Sequence, residues 1–310
     1  MYKTVSTALQ LPAMRLVLSM AVVTALGFVA YHNWMDLSLP GTDGLINILT
    51  VFLLVATLTF FNIYCESQKW KHLISSEAVD VRSAFAQVVA GICSGFLTPN
   101  RIGEFAGRRQ MMPQGEKHKA FLVTIAGSGI QGSVTALFGL AGLMYFPFKP
   151  SATGVVFAEW VYLIFGILAL LVIGLVFRKK AHRFKGMLRA IVHLRTLQAS
   201  DILKAVLWAI LRYLIFSTQF VIALVLLGYN GDIATCYAGV FLLYFCQSYI
   251  PGAAFGELGV RELLAVMIFG AWMPNPLLGA LAGFMVWLAN IGLPVLLGSA
   301  VFGLGLKRSV

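Results

Sequence analysis

Apolar residues in this chain come in long runs, not in alternating stripes. Such runs cover residues 11–31, 44–65, 120–146, 155–177, 202–228 and 277–304. Each reaches the roughly 20 residues that an α-helix needs to cross a hydrocarbon layer about 30 Å thick, so six spanning helices are predicted. Two further apolar stretches, 82–98 and 234–250, are shorter. Each runs into a break rich in Pro, Gly and polar residues and then into another short helical piece, which predicts a broken helix folded as a re-entrant hairpin. The expected fold is an all-α polytopic membrane protein, six spanning helices plus two re-entrant helical hairpins. The longest polar segment runs only from Arg178 to Ser200, so a single transmembrane domain is expected over 1–310.

Composition agrees: 59% of residues are hydrophobic, 11% are charged, and the mean hydropathy is +0.86. The first run contains Arg15 and ends in Tyr31, His32, Asn33 and Trp34 instead of a small-residue cleavage site, so it is expected to stay attached as a helix. Cys65, Cys93, Cys236 and Cys246 stand singly in or beside apolar runs, and the five histidines show no ligand spacing. Free thiols, no metal and no cofactor are expected. No phosphate-binding nucleotide loop or nucleophile elbow is present.

Charge sets the orientation. Seven Lys and Arg and no acid lie between Arg178 and Arg195, which makes that loop cytoplasmic. Phe184, Met187, Leu188, Ile191 and Leu194 recur there at helical spacing, the pattern of an amphipathic helix lying on anionic lipid. Counting outward, seventeen basic residues fall inside and only Lys149 outside, provided that residues 82–112 enter and leave on the cytoplasmic side. Both termini are then cytoplasmic, and the location expected is the inner membrane of a bacterium. The net charge of +11 is largely explained by this asymmetry, so no nucleic-acid partner is expected.

The two breaks echo each other. Leu97 to Met112 reads LTPNRIGEFAGRRQMM, and Pro251 to Glu262 reads PGAAFGELGVRE. Aligning Gly103 and Glu104 with Gly256 and Glu257 places Arg108 on Arg261, an offset of 153 residues. With hairpins entering from opposite sides, the halves, about 1–146 and 150–304, form an inverted repeat.

Pro99 and Pro251 are expected to end an incoming half-helix, and Gly103, Gly256 and Gly259 to free the backbone at the break. A new half-helix then begins at the glutamate. Helix amino termini at membrane depth attract anions, and Arg101, Arg108, Arg109 and Arg261 add forked donors suited to a phosphate-bearing headgroup. Glu104 and Arg108 form an i,i+4 pair. Glu104, Glu257 and Glu262 are candidates for proton or cation coupling, or for ion pairing alone. The plainer alternative makes the first break a cytoplasmic loop with ordinary positive-inside arginines, which leaves Arg261 unexplained. Arg212 lies within a span about eight residues from its cytoplasmic end, where snorkelling is favoured slightly over a cavity role. Gln219 lies in the same span. Ser128, Gly132 and Ala136 read as a helix-packing face, with Gln131 lining a cavity.

These motifs carry a resemblance. Pro99-x-Arg101-x-Gly103-Glu104 with its following basic pair, Pro251 with Gly256-x-Leu258-Gly259-Val260-Arg261-Glu262, and Asn62-x-x-x-Glu66-x-x-Lys69-Trp70 resemble the flippase-like, lysylphosphatidylglycerol synthase transmembrane-region family over essentially the whole chain. The resemblance implies movement of an anionic or aminoacylated lipid between leaflets. The synthases carry an aminoacyltransferase domain after the membrane part and this chain ends at Val310, so lipid aminoacylation is not expected. The function expected is a lipid transporter of flippase type, not an enzyme. Its partners would be membrane lipids: an anionic or aminoacylated phospholipid, or a polyprenyl-linked lipid. Self-association is left open. The alternatives are a membrane enzyme acting on a lipid phosphate or a lipid-linked glycosyl group, and a scaffold without transport.

Overall fold

The computed structural model describes Tyr31 and residues 42–96, 98, 101, 103–146, 192–249 and 254–306. All regular structure among these is helical. Helix α1 (Thr42–Ile74) precedes α2 (Val81–Phe96) and the short α3 (Gly103–Gln110), and a 3-10 turn (Gln114–Lys119) leads into α4 (Ala120–Tyr145). Then come α5 (Ala199–Leu226), α6 (Ile233–Tyr249), α7 (Ala254–Phe269), α8 (Pro276–Trp287), a π-helical turn (Leu288–Gly292) and α9 (Leu293–Leu306).

Four segments are long and apolar enough to cross a membrane: Ile46–Ile74, Gln114–Tyr145, Ala199–Leu226 and Pro276–Ser299. They match four of the six expected spans. Runs 11–31 and 155–177, and most of the basic segment 178–195, lie outside the described residues. Leu53, Phe60, Leu137, Leu140 and Leu207 are exposed on the outer faces, an apolar surface that belongs in lipid. The protein is a polytopic membrane protein.

The pieces between the spans are shorter than a bilayer. At 1.5 Å per residue, α2 rises about 24 Å and α3 about 12 Å. They pack antiparallel: Gly91 faces Arg108, Gly95 faces Glu104, Ser94 faces Gly103 and Ala90 faces Gly107. Glycine permits the approach, because a Cβ on Gly107 would collide with the Ala90 carbonyl oxygen. At the reversal, the Gly103 N–H donates to Thr98 Oγ1 at 2.7 Å, and Arg101 adopts a left-handed φ of 55°. Ser76 Oγ donates to Glu116 Oε1 at 2.8 Å. The end of α1 and the start of the segment leading into α4 therefore lie together, with α2 and α3 between them in sequence.

Helices α6 and α7 repeat the arrangement. Gly239 packs on Phe269, and Arg261 Nε donates to Gln247 Oε1 at 3.3 Å, so they too run antiparallel. The Asn230 N–H donates to the Trp272 carbonyl at 3.0 Å, which brings the end of α5 beside the approach to α8. Each hairpin also opens on an aspartate cap: Asp80 accepts the Ser83 N–H and Asp232 the Thr235 N–H, both at 2.8 Å. Helices α1 and α5 are antiparallel, with His72 on Asp201 at one end and Gln219 on the Val55 carbonyl farther along. Helices α2 and α6, which follow them, consequently begin at opposite ends of this helix pair. Shifting α1, α2 and α3 by 153 residues lands them on α5, α6 and the start of α7.

Two expectations need correction. Helix α7 opens at Ala254, so Gly256 and Gly259 sit inside it instead of forming the break. Pro99 and Pro251 lie outside the described residues. Ser128, Gly132 and Ala136 are not a packing face: Ser128 and Gly132 are exposed toward a cavity, and a Cβ on Gly132 would meet nothing within 4 Å. The close approach of α4 occurs two turns later, where Gly139 meets Phe245 and Gly142 meets the Ala238 carbonyl on α6.

Candidate functional site

The helices line an open cavity of about 730 Å³. Seven charged side chains line it: Lys69, Arg101, Arg108, Arg212 and Arg261 against Glu66 and Glu104. Two hairpins contribute to this lining, Arg101, Glu104 and Arg108 from the first and Arg261 from the second.

Glu66, on α1, is the hub. Lys69 Nζ lies 2.5 Å and Arg212 Nη1 3.0 Å from Oε2, and Arg108 Nη2 lies 3.0 Å from Oε1. Arg108 also pairs with Glu104, the i,i+4 contact expected from the sequence, and its guanidinium carbon sits 4.4 Å over the Trp70 ring. Trp70 is itself fixed by Nε1 donating to Gln87 Oε1 at 2.7 Å. A charge at the bilayer centre costs about 2.5–3.5 kcal/mol on insertion scales. Clustering the charges in opposite-sign contact offsets part of that cost, and losing one partner of a buried pair costs about 3–5 kcal/mol.

The network continues through neutral groups. Arg212 Nε donates to Asn62 Oδ1 at 3.0 Å and Nη1 to Gln131 Oε1 at 3.3 Å. Asn62 Nδ2 donates to Asn290 Oδ1, and Asn290 Nδ2 to Gln219 Oε1 at 3.0 Å. Gln219 Nε2 closes the chain on the Val55 carbonyl and Thr59 Oγ1. Asn290 sits in the π-helical turn. Pro294, four residues on, has no N–H for the Asn290 carbonyl, and the Leu293 N–H reaches back to Leu288 instead.

The expected residues do not all converge. Arg109 is exposed at the end of α3 and does not line the cavity, because the α3 face that carries Gly103, Gly107 and Arg108 is the one turned inward. Arg212 reaches into the cavity and does not snorkel, since Glu66 and Asn62 hold its guanidinium. Lys69, expected among the cytoplasmic charges, is 2% exposed. Glu262 is buried off the cavity lining against Gly283, with no hydrogen-bond partner among the described residues for either carboxylate oxygen. The Glu257 side chain lies outside the described residues. No cluster of His, Cys, Asp and Glu that could hold a metal occurs among the described residues, and the four cysteines are free. Sequence reasoning used Glu66 and Lys69 only in the family motif, and Lys69 as a cytoplasmic charge, and gave neither a place in the site, although their i,i+3 spacing at the end of an apolar run was the available signal. Asn290, a single polar residue in an apolar run, gave almost none.

A family model described as "Lysylphosphatidylglycerol synthase TM region" matches residues 14–298. The chain belongs to that family. Its members are membrane proteins of lipid handling, and here the matched region holds every residue of the charged cavity. Neither the curated proteins nor the solved structures include a match to this chain.

Proposed function

We propose that this family member is a lipid transporter of flippase type, which admits a phosphate-bearing headgroup to the cavity between its two hairpins. One observation carries the reading: arginines from the two motifs half a chain apart line the same cavity, Arg101 and Arg108 from one and Arg261 from the other. A site reached from both ends by broken helices is what alternating access needs. In this reading residues 1–310 form one domain of six spans, completed by 11–31 and 155–177. Both hairpins are re-entrant, the halves are an inverted repeat, and the protein lies in a bacterial inner membrane with cytoplasmic termini.

The hairpin lengths and the Ser76–Glu116 contact support re-entrance, because a segment that returns to its starting end has not crossed. Transport is favoured over hydrolysis since a general base must be free to take a proton. Both carboxylates on the described cavity wall, Glu66 and Glu104, are engaged by cations. The Glu104–Arg108 contact likewise favours pairing over proton coupling for Glu104.

Proteoliposomes test the function. The wild type is expected to translocate a fluorescent anionic phospholipid, and Arg108→Gln and Arg212→Gln are expected to slow it at least tenfold. Wild-type rates in both variants, or phosphate release from the lipid by the wild type, would reject the proposal. For the topology, cysteines replacing Ser76 and Gly115 should label from one face and a cysteine replacing Asn230 from the other. Labelling of Ser76→Cys and Gly115→Cys from opposite faces would remove the re-entrant hairpin.

A further inference from the structure

We infer that the headgroup held in this cavity is a dianionic phosphate, a phosphomonoester or diphosphate, read by Arg101 and Arg261, and that cationic aminoacylated headgroups are excluded. The inference rests on the phosphate-site reading above and narrows its ligand.

Charge balance carries the argument. The cavity wall presents five cations and two carboxylates, an excess of three positive charges among the described residues. The excess is local. Glu66 is surrounded by Lys69, Arg108 and Arg212, and Glu104 is taken by Arg108. Among the described residues no salt bridge joins Arg101 or Arg261 to a carboxylate; Glu104 and Glu262 act on them only at longer range. Arg261 is 8% exposed, and the polar partner the structure gives it is neutral Gln247. Arg101 stands in the turn between α2 and α3 at a φ of 55°, a conformation that disfavours a bulky side chain. Such strain persists where the surroundings hold it, and here it places a guanidinium on the cavity wall.

A ligand must supply what these two arginines lack. A phosphodiester headgroup with one negative charge answers one of them. A phosphomonoester carries about −1.5 to −2 at neutral pH and presents three acceptor oxygens, so it can engage both forks. A lysylated headgroup brings one phosphate and two ammonium groups, which adds positive charge to a positive cavity. Its ammoniums would need free carboxylates, and Glu66 and Glu104 are occupied. Aromatic faces are the other option for an ammonium. The lining rings Phe105 and Phe121 pack edge to face on each other, as do Phe216 and Tyr244.

The test is a binding ladder on the full chain in nanodiscs of neutral lipid, read by native mass spectrometry and by thermal shift. The probes are phosphatidic acid, phosphatidylglycerol, lysylphosphatidylglycerol and, without a lipid tail, inorganic phosphate and pyrophosphate. Phosphatidic acid is expected to bind at least tenfold tighter than phosphatidylglycerol, with the lysyl lipid weakest. Arg101→Gln with Arg261→Gln should bring the ratio of the first two close to one, phosphatidic acid losing the larger share of its affinity. Competition by inorganic phosphate at concentrations comparable with phosphatidic acid would sustain the dianion and assign it to free phosphate instead of a lipid. A wild-type ratio near one, with both lipids lost in Arg108→Gln, overturns the dianion and leaves the phosphate site standing. Tightest binding of the lysyl lipid also overturns it. Absence of binding by every probe overturns this inference and the reading beneath it. The wild-type ratio decides the question even if a variant fails to fold.

Discussion

The interface between α1 and α5 contains one arrangement twice, charged in one place and neutral in the other. Under the 153-residue offset, Glu66 corresponds to Gln219 and Thr59 to Arg212. Each cross-pair forms: Arg212 meets Glu66 at 3.0 Å, and Gln219 meets Thr59 at 3.0 Å. The pairing thus recurs while the chemistry does not. The charged member also recruits Lys69 and Arg108 and faces the cavity, whereas the neutral member leads only to Asn290 and a backbone carbonyl. One contact geometry can thus recur along a helix pair while its charge is concentrated at one place.

Glu66→Ala sharpens this contrast most. It strips three cations of their shared carboxylate and is expected to destabilise the protein by about 3–5 kcal/mol, read as loss of thermal stability in detergent. Gln219→Ala, which removes neutral hydrogen bonds, is expected to cost about 1–3 kcal/mol. Equal losses would erase the distinction between the charged and neutral pairs.

A smaller difference separates the hairpins. Gly107→Ala puts a Cβ against the Ala90 carbonyl, which is backbone and cannot turn aside, so about 1–3 kcal/mol and a loosened α2–α3 contact are expected. Gly239→Ala meets the Phe269 ring at 2.7 Å, a side chain that can shift, and should cost less. Unfolding midpoints of the two variants provide the comparison, and a larger loss for Gly239→Ala would reverse it.

The smallest effect is expected within α3 itself. Arg109→Ala should change stability by no more than about 0.5 kcal/mol and leave lipid binding intact, because its side chain is exposed and lines no cavity. Loss of binding in Arg109→Ala comparable with Arg108→Gln would put both arginines in the site.

Much of this architecture was legible in the chain. Spans at 44–65, 120–146, 202–228 and 277–304 follow from apolar run length, since lipid demands about 20 consecutive residues that need no water. The short runs before Pro99 and Pro251 coincide with the short helices α2 and α6, and the i,i+4 rule paired Glu104 with Arg108 correctly. The packing face of α4 was not legible. Small residues at Ser128, Gly132 and Ala136 satisfied the packing pattern as well as Gly139 and Gly142 did, and a pattern of small side chains does not say whether a helix or a cavity stands opposite.

The sequence by itself determined that this chain lives in a bilayer, where its helices lie, and that arginine and glutamate recur at two breaks half a chain apart. Those properties are local: hydropathy, helix period and proline chemistry act over a few turns. Only the tertiary structure decided which charges meet. Glu66 stands near the end of α1 and Arg212 midway along α5, with α2, α3 and α4 between them in sequence, and their contact depends on α1 and α5 running antiparallel at the right register. Arg108 and Arg109 are adjacent in sequence and about 100° apart around a helix, so packing α3 on α2 buries one and leaves the other exposed.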